Sequence, residues 1–227
     1  MTGKIPGDGE RSEIKIKICG LSRPEDIDYV NEARPDYCGF VIGVPSSRRN
    51  VSIETLYRLR SRLSDQVTAV GVFVNAEPEL PVRLLREGVI SLAQLHGQED
   101  EAYIRKLRAL SGISAGKVIK AFSVRSREDV ERAFESSADM VLLDHGKGGT
   151  GESFDWSLLE GRRYEGKEEK PFFLAGGLNP ENIPDAVRRC RPYGVDLSSA
   201  VETDGRKDRE KILAAVAAVK NMERRIQ

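Results

Sequence analysis

Eight times between about residue 13 and the end of the chain, a short apolar run gives way to a segment with helical periodicity. EIKIKIC precedes a helix start in which Ser22, Pro24 and Glu25 form an S-x-x-E capping pattern. YCGFVI precedes VSIETLYRLRSRL, TAVGVFV precedes PELPVRLLREG, and VISLAQLH precedes DEAYIRKLRAL. KVIKAF leads into SREDVERAFES, MVLLD into FDWSLLEG, and PFFLAGG into NPENIPDAVRRC. The last run, YGVDLSS, leads into a long helix expected from about Arg206 to Arg225. Runs this apolar are covered on both faces, which requires parallel strands joined by crossover helices. The count of eight predicts a closed (β/α)8 TIM barrel, an α/β fold in a single domain. A chain of 227 residues, 39% of them hydrophobic, can build the one large core this needs.

An open doubly wound sheet is the competing architecture, and it calls for a G-x-G-x-x-G turn after the first strand. The first turn here reads CGLSRP, and the glycine-rich turns come late, after runs six, seven and eight. Residues 1–12, with Gly3, Gly7 and Gly9 among polar neighbours, read as a flexible N-terminal arm, leaving 13–227 as the catalytic barrel.

Charged residues make up 32% of the chain and cancel to a formal net charge of zero. No basic field exists to gather nucleic acid, so a small molecule is the expected partner. No apolar run approaches the roughly 20 residues that span a bilayer, and the first residues lack the apolar core of a secretory signal. The expectation is a soluble cytoplasmic protein, monomer or homodimer, with no membrane partner. Cys19, Cys38 and Cys190 are odd in number and widely spaced, which disfavours both a disulfide framework and a CxxC metal site. Cys38, early in its strand, and Cys190, on a helix, read as packing residues.

In such a barrel, chemistry sits at the carboxyl ends of the strands. Cys19 ends the first run, Asp144 ends the sixth, Asp196 lies in the eighth, and Arg48 and Arg49 follow the second. In LAGGLNPENI, Gly176 and Gly177 offer bare backbone, with Asn179 as N-cap and Pro180 in the first helical turn. In DLSSAVE, Ser198 and Ser199 precede a short turn. Two adjacent loops of this kind predict phosphate binding through backbone N–H groups, beyond the tight turns that glycine alone would explain. Asp144 leads into a segment with Gly148, Gly149 and Gly151 that reads as a closing lid. Desolvation beneath it would raise the carboxyl pKa and make a general acid, where the simpler alternative is a turn-capping aspartate. A thiol at the end of the first strand, beside arginine and a helix start, is expected to have a lowered pKa and to act as a base.

Taken in order, KICGLSRPEDI, GFVIGVPSSRRNVS, VGVFVN, QLHGQE, IKAF, LLDHGKGGTGESFDW, LAGGLNPENI and GVDLSSAVET resemble the signature segments of the phosphoribosylanthranilate isomerases of tryptophan biosynthesis. The resemblance runs from about residue 14 to 208. It implies a cofactor-free, metal-free Amadori rearrangement of N-(5-phospho-β-D-ribosyl)anthranilate to 1-(2-carboxyphenylamino)-1-deoxy-D-ribulose 5-phosphate. It further implies Cys19 as general base and Asp144 as general acid. Arg49 would hold the anthranilate carboxylate, with adjacent Arg48 as the alternative. Gly176, Gly177, Ser198, Ser199 and Ala200 would bind the phosphate. Where the family commonly has SSGVE this chain has SSAVE, a change the loop tolerates provided φ at Ala200 is negative. His96 and Asp196 would support the acid and base through hydrogen bonds.

Two related phosphate-binding barrels are alternatives. The histidine-pathway sugar isomerase would be expected to place aspartates at both strand ends, and indole-glycerol-phosphate synthase relies on lysine and glutamate. A barrel that binds a phosphorylated ligand without turnover would have lost the acid or the base. Cys19 together with Asp144 separates the isomerase from all three.

Overall fold

In the computed structural model, which describes residues 13–112, 118–145, 155–159 and 170–224, eight parallel strands close into a barrel. They are β1 (Lys15–Cys19), β2 (Tyr37–Ile42), β3 (Thr68–Phe73), β4 (Leu92–Leu95), β5 (Val118–Ser123), β6 (Met140–Asp144), β7 (Phe172–Leu174) and β8 (Gly194–Leu197). Each pairs with the next in chain order, and β1 closes the ring by pairing with both β2 and β8. Crossover helices cover the outside: α1 (Pro24–Ala33), α2 (Ile53–Arg60), α3 (Glu79–Arg86), α4 (Glu101–Ser111), α5 (Arg127–Glu135), α6 (Ile183–Cys190) and α7 (Arg209–Arg224).

Three local expectations change. The sixth helix is, among the described residues, a single 3-10 turn, Trp156–Leu159. The final helix starts at Arg209, because Arg206–Lys207 pair antiparallel with Glu202–Thr203 in a small hairpin. At α1 the capping carboxylate is Asp26, not Glu25. Its Oδ2 accepts from the N–H groups of Ser22 and Arg23, since Asp26 occupies the third helical position from which a side chain reaches back. The expected arm, 1–12, and the glycines 148, 149 and 151 lie outside the described residues. Among the described residues no helix is long and apolar enough to cross a membrane.

Strand alternation divides the core. Outward-facing Ile16, Ile18, Phe40 and Val195 pack under the helices. Inward-facing Val70, Leu92, Ile119, Leu142 and Phe173 fill the barrel itself. At its amino-terminal end Phe173 meets Tyr37 and Tyr193 edge-to-face, with centroids 5.4 and 5.5 Å away, and the two tyrosine hydroxyls lie 2.7 Å apart. That apolar plug leaves the other end free to be polar.

Candidate active site

At the carboxyl ends of the strands a cavity of about 510 Å³ opens. All ten residues assigned to the site in the sequence border it, and Arg48, the alternative to Arg49, does not. Cys19 and Asp144 form part of its floor from β1 and β6. Cys19 and Cys190 are each only 8% exposed, so burial does not distinguish them. Position does: Cys19 is on the cavity wall, whereas Cys190 and the fully buried Cys38 pack in the outer core, as expected of them.

The expected lowering of the Cys19 pKa is not found. Burial pushes the thiol above its ordinary value, and the opposing pull of the Lys17 ammonium does not cancel that. Lys17, two residues earlier on the same inward face of β1, is fully buried and donates from Nζ to Asp196 Oδ1 at 2.9 Å. Register makes this contact, since Lys17 and Asp196 are direct partners on neighbouring strands. Burial is the largest influence and disfavours its charge, but Asp196 and Cys19 together outweigh it and raise the Lys17 pKa.

Asp144 behaves as anticipated. Its pKa rises to about 6, chiefly through burial, with Asp196 adding to the effect and the His145 N–H opposing it. Its Oδ1 accepts that N–H at 2.7 Å, and Oδ2 lies 3.9 Å from His96 Nε2. His96 is itself oriented by Gln94, whose Nε2 is 2.9 Å from His96 Nδ1. Burial lowers the His96 pKa, favouring the neutral ring.

The phosphate-type loops form the wall beside these two groups. Gly176 has φ +80°, and a methyl built on it would come within 2.7 Å of Asp144 Oδ1. Glycine there serves the turn and the seat of the acid together. Gly177, Ser198, Ser199 and Ala200 continue the wall, with Ser199–Val201 forming a 3-10 turn and Ser198 Oγ donating to the Cys19 carbonyl. Ala200 is not among the four non-glycine residues of the described chain that adopt positive φ, so its methyl is accommodated. Asn179 does not cap the helix directly. Its Oδ1 accepts from the N–H groups of Glu181 and Asn182 in a preceding turn, and α6 begins at Ile183, where Pro184 suits the first helical turn.

Arg49 reaches the cavity, while Arg48 lies in an adjoining cleft of about 310 Å³. Arg49 Nε and Nη2 donate to the two oxygens of Glu202 at 2.7 and 3.0 Å. This bidentate pair uses one edge of the guanidinium and leaves the Nη1 side turned from Glu202. Lys207 donates to Glu202 at 2.7 Å and Arg48 at 2.6 Å, so one carboxylate gathers three cations. Lys17 and Glu202 are the charged residues that sequence reasoning missed. The spacing K-x-C gave Lys17 away, because it shares the inward parity of Cys19 in a strand with no wet face.

Residues 16–218 match the family model for N-(5'phosphoribosyl)anthranilate isomerase. The isomerase of Endomicrobium trichonymphae is 44% identical over 212 residues, spanning 92% of this chain and 99% of that one. The crystal structure of phosphoribosyl anthranilate isomerase from Thermus thermophilus superposes with a TM-score of 0.77 at 31% identity, covering 92% of this chain and all of the other. A further isomerase structure, in complex with reduced 1-(o-carboxyphenylamino)-1-deoxyribulose 5-phosphate, gives a TM-score of 0.74 at 35% identity over 92% and 99% of the two chains. With the predicted barrel, the cavity and these matches in agreement, the chain belongs to the N-(5'-phosphoribosyl)anthranilate isomerase family.

Proposed function

We propose that Asp144 and Cys19 carry out, as acid and base, the Amadori rearrangement of N-(5-phospho-β-D-ribosyl)anthranilate in the 510 Å³ cavity. The carrying observation is that the ends of β1 and β6 bring a thiol and a carboxyl with raised pKa to one cavity, bordered also by Gly176, Gly177, Ser198, Ser199 and Ala200. The ligand in the related complex, a reduced carboxyphenylamino-deoxyribulose phosphate, has the groups this cavity suits.

Protonated Asp144 gives its proton to the furanose ring oxygen as the C1′–O bond breaks, and the anthranilate nitrogen supplies electrons to form an iminium. Cys19, as thiolate, removes the C2′ proton, and the resulting enolamine tautomerises to the ketone. The iminium charge beside C2′ offsets the burial that disfavours the thiolate in the empty site. Gly176, Gly177, Ser198, Ser199 and Ala200 hold the phosphate through backbone N–H groups. Arg49, oriented by Glu202, presents its planar fork to the anthranilate carboxylate. His96 borders the acid with Nε2 3.9 Å from its carboxylate, and the charge of Asp196 helps keep the Asp144 pKa raised.

With the Asp144 pKa near 6 and that of Cys19 well above it, the productive form, protonated acid with thiolate, is a constant minority between the two values. The rate therefore climbs to a plateau above about pH 6 and falls only beyond the thiol pKa. A fluorescence assay following the loss of phosphoribosylanthranilate made in situ tests the reading. Turnover at enzymatic rate is expected, and its absence from the purified, folded chain would overturn it.

A further inference from the structure

Beneath the Cys19 sulfur lies a buried ion pair whose lysine the acid–base scheme does not use. Lys17 is 0% exposed, and Asp196 holds its Nζ at 2.9 Å. A methyl built on Gly39, the strand partner of Cys19, would stand 2.7 Å from Cys19 Sγ and 3.2 Å from Lys17 Nζ. One small gap is thus bordered by both the sulfur and the ammonium, and a glycine keeps it empty.

Burying a charged pair is costly, and an apolar pair of similar volume would commonly be as stable. Other inward positions fill the lumen without charge: Val70, Leu92, Ile119 and Leu142 need no such pair. Resting on the reading that Cys19 is the base, we propose that Lys17 is a positioning residue whose ammonium, clamped by Asp196, stabilises the Cys19 thiolate.

The other groups facing Cys19 do not replace it. Asp196 on β8 acts against the thiolate, and Cys38 on β2 is a neutral buried thiol turned to the outer core. Lys207 and Arg49 favour the thiolate from the loops after β8 and β2, but both are engaged by Glu202. Across the cavity, Asp144 opposes negative charge and His96 is held toward its neutral form. Lys17 is the largest influence lowering the Cys19 pKa.

The test titrates Cys19 directly. Iodoacetamide alkylation, read at the Cys19 peptide by mass spectrometry across pH, is compared in the wild type, Lys17→Met, Asp196→Asn, and Lys17→Met/Asp196→Asn. The double variant avoids a lone buried carboxylate and keeps the test valid where Lys17→Met alone misfolds. Removing a charge this close is expected to move the alkylation midpoint up by about one to three pH units. The kcat plateau should fall by the matching ~10- to 10³-fold and its alkaline limb move to higher pH, with KM little changed. A double-variant midpoint within about 0.3 units of that of Asp196→Asn overturns the proposal, because Asp196 itself acts against the thiolate and a purely structural lysine would add nothing to its loss. The alkylation readout needs no turnover, so an inactive wild type would sink the isomerase reading without deciding this one.

Discussion

The two ends of the barrel are built from the same strands and obey opposite rules. At the amino-terminal end, Tyr37, Phe173 and Tyr193 fill the lumen with ring contacts. At the carboxyl end, Lys17, Cys19, Asp144 and Asp196 face a cavity or a buried ion pair, and burial perturbs the pKa of three of them. The lower end contributes stability through area removed from water; the upper end spends part of that stability on desolvated charge. A parallel barrel suits the division, since every strand leaves its last side chains and its following loop at the same end.

The sharpest way to break the comparison is at the acid and base. Cys19→Ser and Asp144→Asn should each lower kcat by about 10² to 10⁴ with the circular dichroism spectrum unchanged. In Asp144→Asn the residual rate should also lose its plateau above about pH 6 and keep rising with pH, since no acid remains to be deprotonated. An unaltered kcat in either variant would remove these roles. At the opposite end, Phe173→Ala should destabilise by about 3 to 5 kcal/mol in denaturant titration. Its kcat, measured where the protein is folded, should stay near wild type. A large loss of turnover there would mean that the two ends are not independent.

Arg49→Ala should mainly raise KM, and Glu202→Gln should raise it less, because the fork is then present but poorly oriented. Glu202 also links the site to stability. Burial opposes its charge, but hydrogen bonds from Arg49 and Lys207 win, and its pKa is lowered in the fold. A group depressed in this way stabilises above its unfolded pKa and loses that contribution as pH falls through the folded value. Acid denaturation below about pH 4.5 should therefore be less steep in Glu202→Gln than in the wild type. The smallest effect is expected from Ala200→Gly, which should change stability by no more than about 0.5 kcal/mol and leave KM nearly unaltered, as φ there demands no glycine.

Some elements were legible residue by residue. YCGFVI and MVLLD are strands over the expected residues, because continuous apolar runs bounded by polar ones have one way to sit in a parallel sheet. Cys19, Asp144 and the two glycine and serine loops were legible for a related reason: polar or backbone-baring residues at the ends of such runs must face the barrel mouth. Less was visible where two local signals competed. Asn179 and Asn182 both offer a capping oxygen, and only the path of the turn decides which stands next to the helix. FDWSLLEG carries a helical pattern but forms one 3-10 turn among the described residues.

The order of apolar runs, their number and the residues ending them determine the barrel and the location of its chemistry, because strand period and chain order need no distant partner to act. Protonation was decided by tertiary structure. EIKIKIC shows only that Lys17 shares the parity of Cys19, and closure of β1 between β2 and β8 then sets it against Asp196, 179 positions away in the sequence. Charge and burial at one point depend on which strands meet there, and the sulfur of Cys19 acquires its environment only when the ring closes.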